Sequence, residues 1–180
     1  IIAPPWDVPE DPTRIVMKIE PSMAFGTGTH ETTRLCLAAI ERFYEDEMSV
    51  LDVGTGTGIL AIAAAMMRAG RGDARFFGCD TDADSIAIAR ENAVLNGVPE
   101  IEFEIGPISD ATPVFDFVCA NLTADVIIPV LPLLTKVYNR RLVLSGILAT
   151  QEESVTKVLA HCGVASWSVE KDGEWISITV

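Results

Sequence analysis

From residue 49 onward, short apolar runs alternate with stretches of helical spacing, and this alternation constrains the fold more than any other feature of the chain. Residues 49–53, 74–79, 101–105, 115–120 and 141–144 read as strands. Between and after them, residues 59–69, 83–95, 125–138 and 151–162 read as helices. Strand–helix repetition of this kind requires parallel strands joined by crossover helices. The expectation is therefore one α/β domain with a doubly wound parallel sheet. Residues 165–170 and 174–180 flank Lys171-Asp172-Gly173, a hairpin signal that adds one antiparallel strand. Ahead of the alternation lie a Pro-rich lead-in over residues 1–12, a short strand at Ile15, Met17 and Ile19 stopped by Pro21, and a helix over 31–44. Gly70 is expected to end the second helix. Pro129 and Pro132 predict a broken or kinked start to the helix over 125–138.

A length of 180 residues suits a single domain. The balance of 13 Lys and Arg against 26 Asp and Glu leaves a formal charge of −13. That disfavours nucleic acid as a direct partner, because duplex affinity comes largely from neutralised phosphates. It suits a basic partner instead. No apolar run is long enough for a membrane span and no signal peptide opens the chain, so a cytoplasmic protein without a membrane partner is expected. The chain begins with Ile1 rather than Met, which suggests a piece of something longer. Cys36, Cys79, Cys119 and Cys162 and the isolated His30 and His161 lack metal-ligand spacing. No metal is expected, and the cysteines read as reduced, mostly buried thiols.

Ligands of open parallel sheets sit beyond the carboxyl ends of the strands. Three strand ends and one loop carry non-random residues there. Asp52-Val53-Gly54-Thr55-Gly56-Thr57-Gly58 is a glycine loop between strand and helix. It fails the dinucleotide fingerprint counted from Gly54, because Ile59 takes the sixth position. Counted from Gly56, Ala61 fits but the first glycine falls late. Asp52 is better placed for a nucleoside with a charged amino-acid tail than for pyrophosphate. Asp80, at the next strand end, can accept hydrogen bonds from ribose hydroxyls, while Asp82 reads as the cap of the following helix. Asn121, leaving the strand 115–120, is either a ligand contact or a helix cap. In the loop over 25–33, Thr29 is the candidate cap of the first long helix.

Taken together, these residues resemble the class I S-adenosylmethionine-dependent methyltransferases, and within them the PrmA family. That family methylates protein eleven of the large ribosomal subunit. The strongest match is Met23-Ala24-Phe25-Gly26-Thr27-Gly28-Thr29-His30-Glu31-Thr32-Thr33. Residues 51–60, 78–82, Arg90-Glu91-Asn92-Ala93 with Asn96-Gly97, Ala120-Asn121-Leu122, 144–148 and Glu174-Trp175 support it. The resemblance implies a seven-stranded, Rossmann-like methyltransferase sheet with S-adenosylmethionine as cofactor. It also implies that Thr33, Gly54, Asp80 and Asn121 contact the cofactor, that Gly56 and Gly58 complete the glycine loop, and that Phe25, Gly26, Thr27 and the residues up to His30 cover its methionine end. Two departures stand out. Nothing in residues 1–180 corresponds to the family's small N-terminal substrate-recognition domain, and Ser22 replaces a usual glycine.

The expected activity is methylation of lysine and N-terminal amines of a protein, with a basic ribosomal protein as partner. Asn121 would orient the amine. His30 reads as a loop organiser, with a general base as the alternative. Trp6, Trp167 and Trp175 read as packing residues, since no basic residues interleave with them. The rivals are a methyltransferase for another protein, RNA or a small molecule, and a non-catalytic cofactor-binding module. Asn121-Leu122-Thr123 lacks the N-P-P-[YF] form of enzymes that methylate planar nitrogens.

Overall fold

The chain is described by a computed structural model over residues 1–20, 26–68 and 74–180. In chain order the elements are β1 (Ile2–Ala3), β2 (Met17–Lys18), α1 (Glu31–Phe43), β3 (Val50–Val53), α2 (Ile59–Met67), β4 (Phe76–Asp80), α3 (Ala83–Leu95) and β5 (Glu102–Ile105). Then follow β6 (Phe115–Asn121), α4 (Ala124–Val137), β7 (Tyr138–Leu148), a 3-10 turn (Ala149–Gln151), α5 (Glu152–His161), β8 (Ser168–Asp172) and β9 (Trp175–Thr179). Seven strands form one sheet in the order β5-β4-β3-β6-β7-β9-β8. All neighbours pair in parallel except β9, which is antiparallel to both β7 and β8. The doubly wound sheet with one antiparallel strand is therefore present. The chain leaves β3 toward β4 and β5, then returns to β6 on the other side of β3, so the strand order reverses between β3 and β6.

Alternation along the strands builds two cores. Val50, Phe76, Phe117, Cys119 and Val143 face α1, α2 and α3. Their neighbours Leu51, Val53, Cys79, Val118 and Leu142 face α4 and α5. A strand buried on both faces reads as a continuous apolar run, which is how these strands looked in the sequence.

The structure corrects several expectations. Residues 1–12 are not wholly irregular, because β1 pairs in parallel with β2. The cap of α1 is His30 rather than Thr29: the His30 side chain accepts from the Thr32 amide. Helix α4 is continuous through Pro129 and Pro132. Each proline costs about 3 kcal/mol inside a helix, but Ile127, Leu131 and Leu134 are fully buried. Burial of three such side chains is worth roughly 1.5–3 kcal/mol each, a total of the same size as the cost of both prolines. The hairpin turns at Gly173 and Glu174, since Lys171 and Asp172 are already paired with Ile176 and Trp175. Gly70 lies outside the described residues. Cys36, Cys79 and Cys119 are free and buried, and Cys162 is free and half-buried. Trp6 is 71% exposed and does not pack, whereas Trp167 packs against the α4–α5 core.

Candidate functional site

A cavity of about 420 Å³ opens where the strand order reverses, beyond the carboxyl ends of β3, β4 and β6. Its walls come from the glycine loop, the residues after β4, β5 and β6, the start of α1 and the C-terminal hairpin.

The glycine loop turns sharply because Gly54, Gly56 and Gly58 all have positive φ (72°, 53° and 82°), a region that other residues rarely occupy. Gly54 and Gly56 line the cavity. Gly58 does not; it precedes α2, and a Cβ there would meet Ala89, Ile62 and Phe103. Asp52 lies beneath the loop rather than in the cavity. It is 1% exposed, and its Oδ2 accepts from the Thr55 hydroxyl at 2.7 Å. Its Oδ1 is buried without a hydrogen-bond partner among the described residues. Burial pushes its carboxyl up to about 6, opposed by the Thr55 hydroxyl and by the nearby Ala61 amide.

Asp80 lines the cavity at the end of β4. Its Oδ2 accepts from the Gly56 amide at 3.0 Å and its Oδ1 from the Asp82 amide at 3.0 Å. Two backbone donors thus fix the carboxylate, leaving further acceptor capacity on each oxygen. Asp82 caps α3 through the Asp84 and Ser85 amides and the Ser85 hydroxyl.

Asn121 ends β6 and lines the same cavity. Its Nδ2 donates to Thr33 Oγ1 at 3.5 Å, while its buried Oδ1 has no partner among the described residues. It is not the cap of α4; Thr123 holds that position. Thr33 is itself fully buried and stands behind Asn121, outside the cavity lining. His30 lines the cavity, with Nδ1 2.9 Å from Thr32 Oγ1 and its ring edge-on to Trp175 at 5.1 Å. Gly26 and Thr27 are not among the lining residues. Phe25 lies outside the described residues.

The sequence reading missed part of the wall. Leu122, Val126 and Val130 make an apolar side, and Trp175, read as a packing residue, closes the rim beside His30. Gly106, Pro107 and Ile108 follow β5. The strand-end rule, applied to the predicted strand over 101–105, would have marked them. Gly146 is held close to the Leu122 backbone: a Cβ there would stand 2.4 Å from the Leu122 carbonyl oxygen. Arg34 ties this rim together, donating to the Thr29 carbonyl at 2.6 Å and to Asp172 at 2.8 and 3.1 Å.

The arrangement offers one anchored carboxylate, one unpaired amide oxygen and an apolar wall between them. Among the described residues, no group of His, Cys, Asp or Glu is placed to hold a metal ion, and no helix is long and apolar enough to cross a membrane.

The family model described as "Ribosomal protein L11 methyltransferase (PrmA)" matches residues 1–180. The ribosomal protein L11 methyltransferase of Myxococcus xanthus is 41% identical over 180 residues, covering 98% of this chain and 61% of that protein. That of Geobacter sulfurreducens is 42% identical over 179 residues, covering 97% and 58%. The crystal structure of a ribosomal protein L11 methylase from Lactobacillus delbrueckii subsp. bulgaricus superposes with a TM-score of 0.86 at 31% identity, covering 99% of this chain and 92% of that one. The chain thus spans about three-fifths of the length of these curated relatives.

Proposed function

This chain belongs to the ribosomal protein L11 methyltransferase family, and from that we propose that it is the part of a protein-amine methyltransferase that binds S-adenosylmethionine and carries out the transfer. The observation that carries the reading is that Asp80 and Asn121, from two different strand ends, face one cavity at the reversal point of the sheet.

The residues present fit the cofactor. Asp80 keeps acceptor capacity for both ribose hydroxyls while two amides hold it still. Gly54 and Gly56 leave room for a close approach to backbone. Asn121 Oδ1 is a buried acceptor awaiting a donor, which an acceptor amine supplies. When bound, S-adenosylmethionine brings a methyl group already activated by the sulfonium, so the protein has mainly to align a neutral amine.

The other roles follow from the same geometry. His30 caps α1, its Nδ1 within reach of the Thr32 amide and hydroxyl, and so acts as an organiser of the loop. A lysine amine, with a reference pKa of about 10.4, loses its proton to water as the apolar wall of Leu122, Val126 and Val130 desolvates it. Thr33 supports Asn121 from behind. Gly26 and Thr27 belong to the loop that leads to His30 at the transfer end, and Gly58 serves the turn into α2.

The acceptor is a basic ribosomal protein in the cytoplasm, and residues 1–180 form one methyltransferase domain whose substrate is selected by a segment outside them. The names and greater length of the relatives support this, as does the formal charge of −13. Calorimetric titration with S-adenosylmethionine in the presence of a chelator tests the cofactor. Mass spectrometry of the large-subunit ribosomal protein after incubation with labelled cofactor tests the acceptor. Absence of binding, or binding only with added metal, overturns the reading.

A further inference from the structure

The two glycine-bearing motifs stand some thirty positions apart, yet they form a single unit in the fold. Thr57 is 0% exposed, and its hydroxyl donates to the Gly26 carbonyl at 2.6 Å. Gly26 has φ +107°, and a Cβ on it would stand 2.7 Å from Thr57 Oγ1 and 3.3 Å from Ile59 Cγ2. No other residue permits that approach. Gly28 is packed in the same way, with an added Cβ 2.4 Å from Ile2 and 3.3 Å from Ile59.

The carbonyl of Thr57 reaches the other side of the same motif. It accepts from Asn92 Nδ2 at 3.0 Å, and Asn92 Oδ1 accepts from the Glu20 amide at 3.2 Å. Asn92 is also 0% exposed. One helical turn later, Asn96 accepts from the Lys18 amide at 2.8 Å and donates to the Lys18 carbonyl at 2.7 Å. Both described flanks of positions 21–25, Glu20 and Gly26, are therefore tied to Thr57. Thr57 follows Gly56, whose amide holds Asp80. A hydrogen-bonded path runs from Asp80 through Gly56 and Thr57 to Gly26 and, through Asn92, to Glu20.

We propose that Thr57 and Asn92 are positioning residues that couple the cofactor-side glycine loop to the 26–30 loop, so that the setting of the first dictates where His30 and the start of α1 stand over the transfer end. The inference rests on the proposed function for which ligand sits on each side. Neither Thr57 nor Asn92 lines the cavity, so both act through the residues they hold. Thr57 and Asn92 are themselves fully buried with their side-chain polar groups paired, and the low local dielectric makes the links they form to Gly26 and to each other costly to break.

Thr57→Val, Thr57→Ser and Asn92→Asp in the 180-residue chain test the coupling. Thr57→Val removes the donor to Gly26 at nearly constant volume, and Thr57→Ser restores it. Asn92→Asp keeps the acceptor for Glu20 but sets an oxygen against the Thr57 carbonyl; it also serves if Thr57→Val fails to fold. Amide hydrogen exchange over residues 27–33, without any ligand, is expected to quicken about tenfold in Thr57→Val and Asn92→Asp and to stay near wild type in Thr57→Ser. With S-adenosylhomocysteine as probe, Kd is expected to move less than about threefold, while kcat toward the ribosomal protein at saturating S-adenosylmethionine falls about 30-fold. Unchanged exchange overturns the proposal, as does a kcat that stays constant while only Kd shifts. A wild type that binds no S-adenosylhomocysteine refutes the cofactor reading, and the exchange comparison still decides the coupling.

Discussion

The two ends of the cavity are built on opposite terms. At one end Asp80 accepts two 3.0 Å hydrogen bonds, from amides at positions 56 and 82, and is fixed before any ligand arrives. At the other end Asn121 has, among the described residues, one long contact to Thr33 from a distant part of the chain, and its buried Oδ1 has no partner among them. An unsatisfied buried acceptor costs about 1–3 kcal/mol. The first end is thus organised for holding, while the second retains an acceptor that a donor in the cavity would satisfy. Under the proposed function the difference would separate affinity from rate, with Asp80 serving ground-state binding and Asn121 acting where the amine is aligned.

Removing Asp80 should have the largest effect. Charged hydrogen bonds left unreplaced are worth about 1.5–3 kcal/mol each, so loss of two ribose contacts in Asp80→Ala should weaken S-adenosylmethionine binding by about 3–6 kcal/mol. Calorimetry on both proteins checks this. Equal affinities would erase the contrast by making Asp80 a purely structural support of Gly56.

Asp52 lies between the two ends, below the floor, and tests whether unpaired oxygens there act through charge. Its carboxyl is raised to about 6 by burial, so the folded state holds a proton that the unfolded chain releases near 4. The folded state therefore binds more protons over this interval, and stability falls as pH rises from about 4 to 6, by up to about 3 kcal/mol. Asp52→Asn cannot titrate. The stability of wild type relative to Asp52→Asn should decline across that window and be flat above it, as read from urea melts in a pH series. Parallel curves would show that Asp52 stays ionised.

Asn121→Ala should leave cofactor affinity less disturbed than rate. Loss of an aligning group of this kind costs about 100-fold in the transfer step, or about 2.7 kcal/mol. Single-turnover kinetics at saturating cofactor would show it. A variant that lost affinity but kept the rate would place Asn121 on the holding side with Asp80.

This contrast also explains what was legible before the structure. The holding end is made of short-range chemistry: glycines with positive φ, a carboxylate at a strand end, and Asp82 capping α3, whose bounds at Ala83 and Leu95 were read correctly. Apart from the Gly56–Asp80 bond, which spans 24 positions, such features depend on neighbours within a few residues. The transfer end depends on topology. Nothing near Asn121 announces Thr33, and nothing near Trp175 announces His30, because the sheet order brings them together. His30 was singled out for its chemistry, but its capping of α1 went unseen, since histidine is not among the usual caps. The continuity of α4 was hidden for another reason. Local proline propensity opposed it, and burial of Ile127, Leu131 and Leu134 overrode that propensity.

The smallest expected effect comes from Asp82, two residues from Asp80, and it makes the sharpest control. The two carboxylates share one turn but have different partners. Asp80 faces the cavity and is held by amides, whereas Asp82 spends its oxygens on Asp84 and Ser85 at the start of α3. Those bonds hold its carboxyl below the usual range, with the Ser85 hydroxyl contributing most. The cap's contribution is therefore present above the unfolded pKa and lost as pH falls through the lower folded value. Asp82→Ala keeps the backbone amide that donates to Asp80, because the alanine amide can still do so. The expected result is a fall of a few degrees in Tm at neutral pH, from the lost cap, with S-adenosylmethionine affinity unchanged. The Tm difference between wild type and variant should shrink on acidification. If Asp82→Ala weakened the cofactor as much as Asp80→Ala, the cap would be part of the holding end, and the division drawn along this turn would fail.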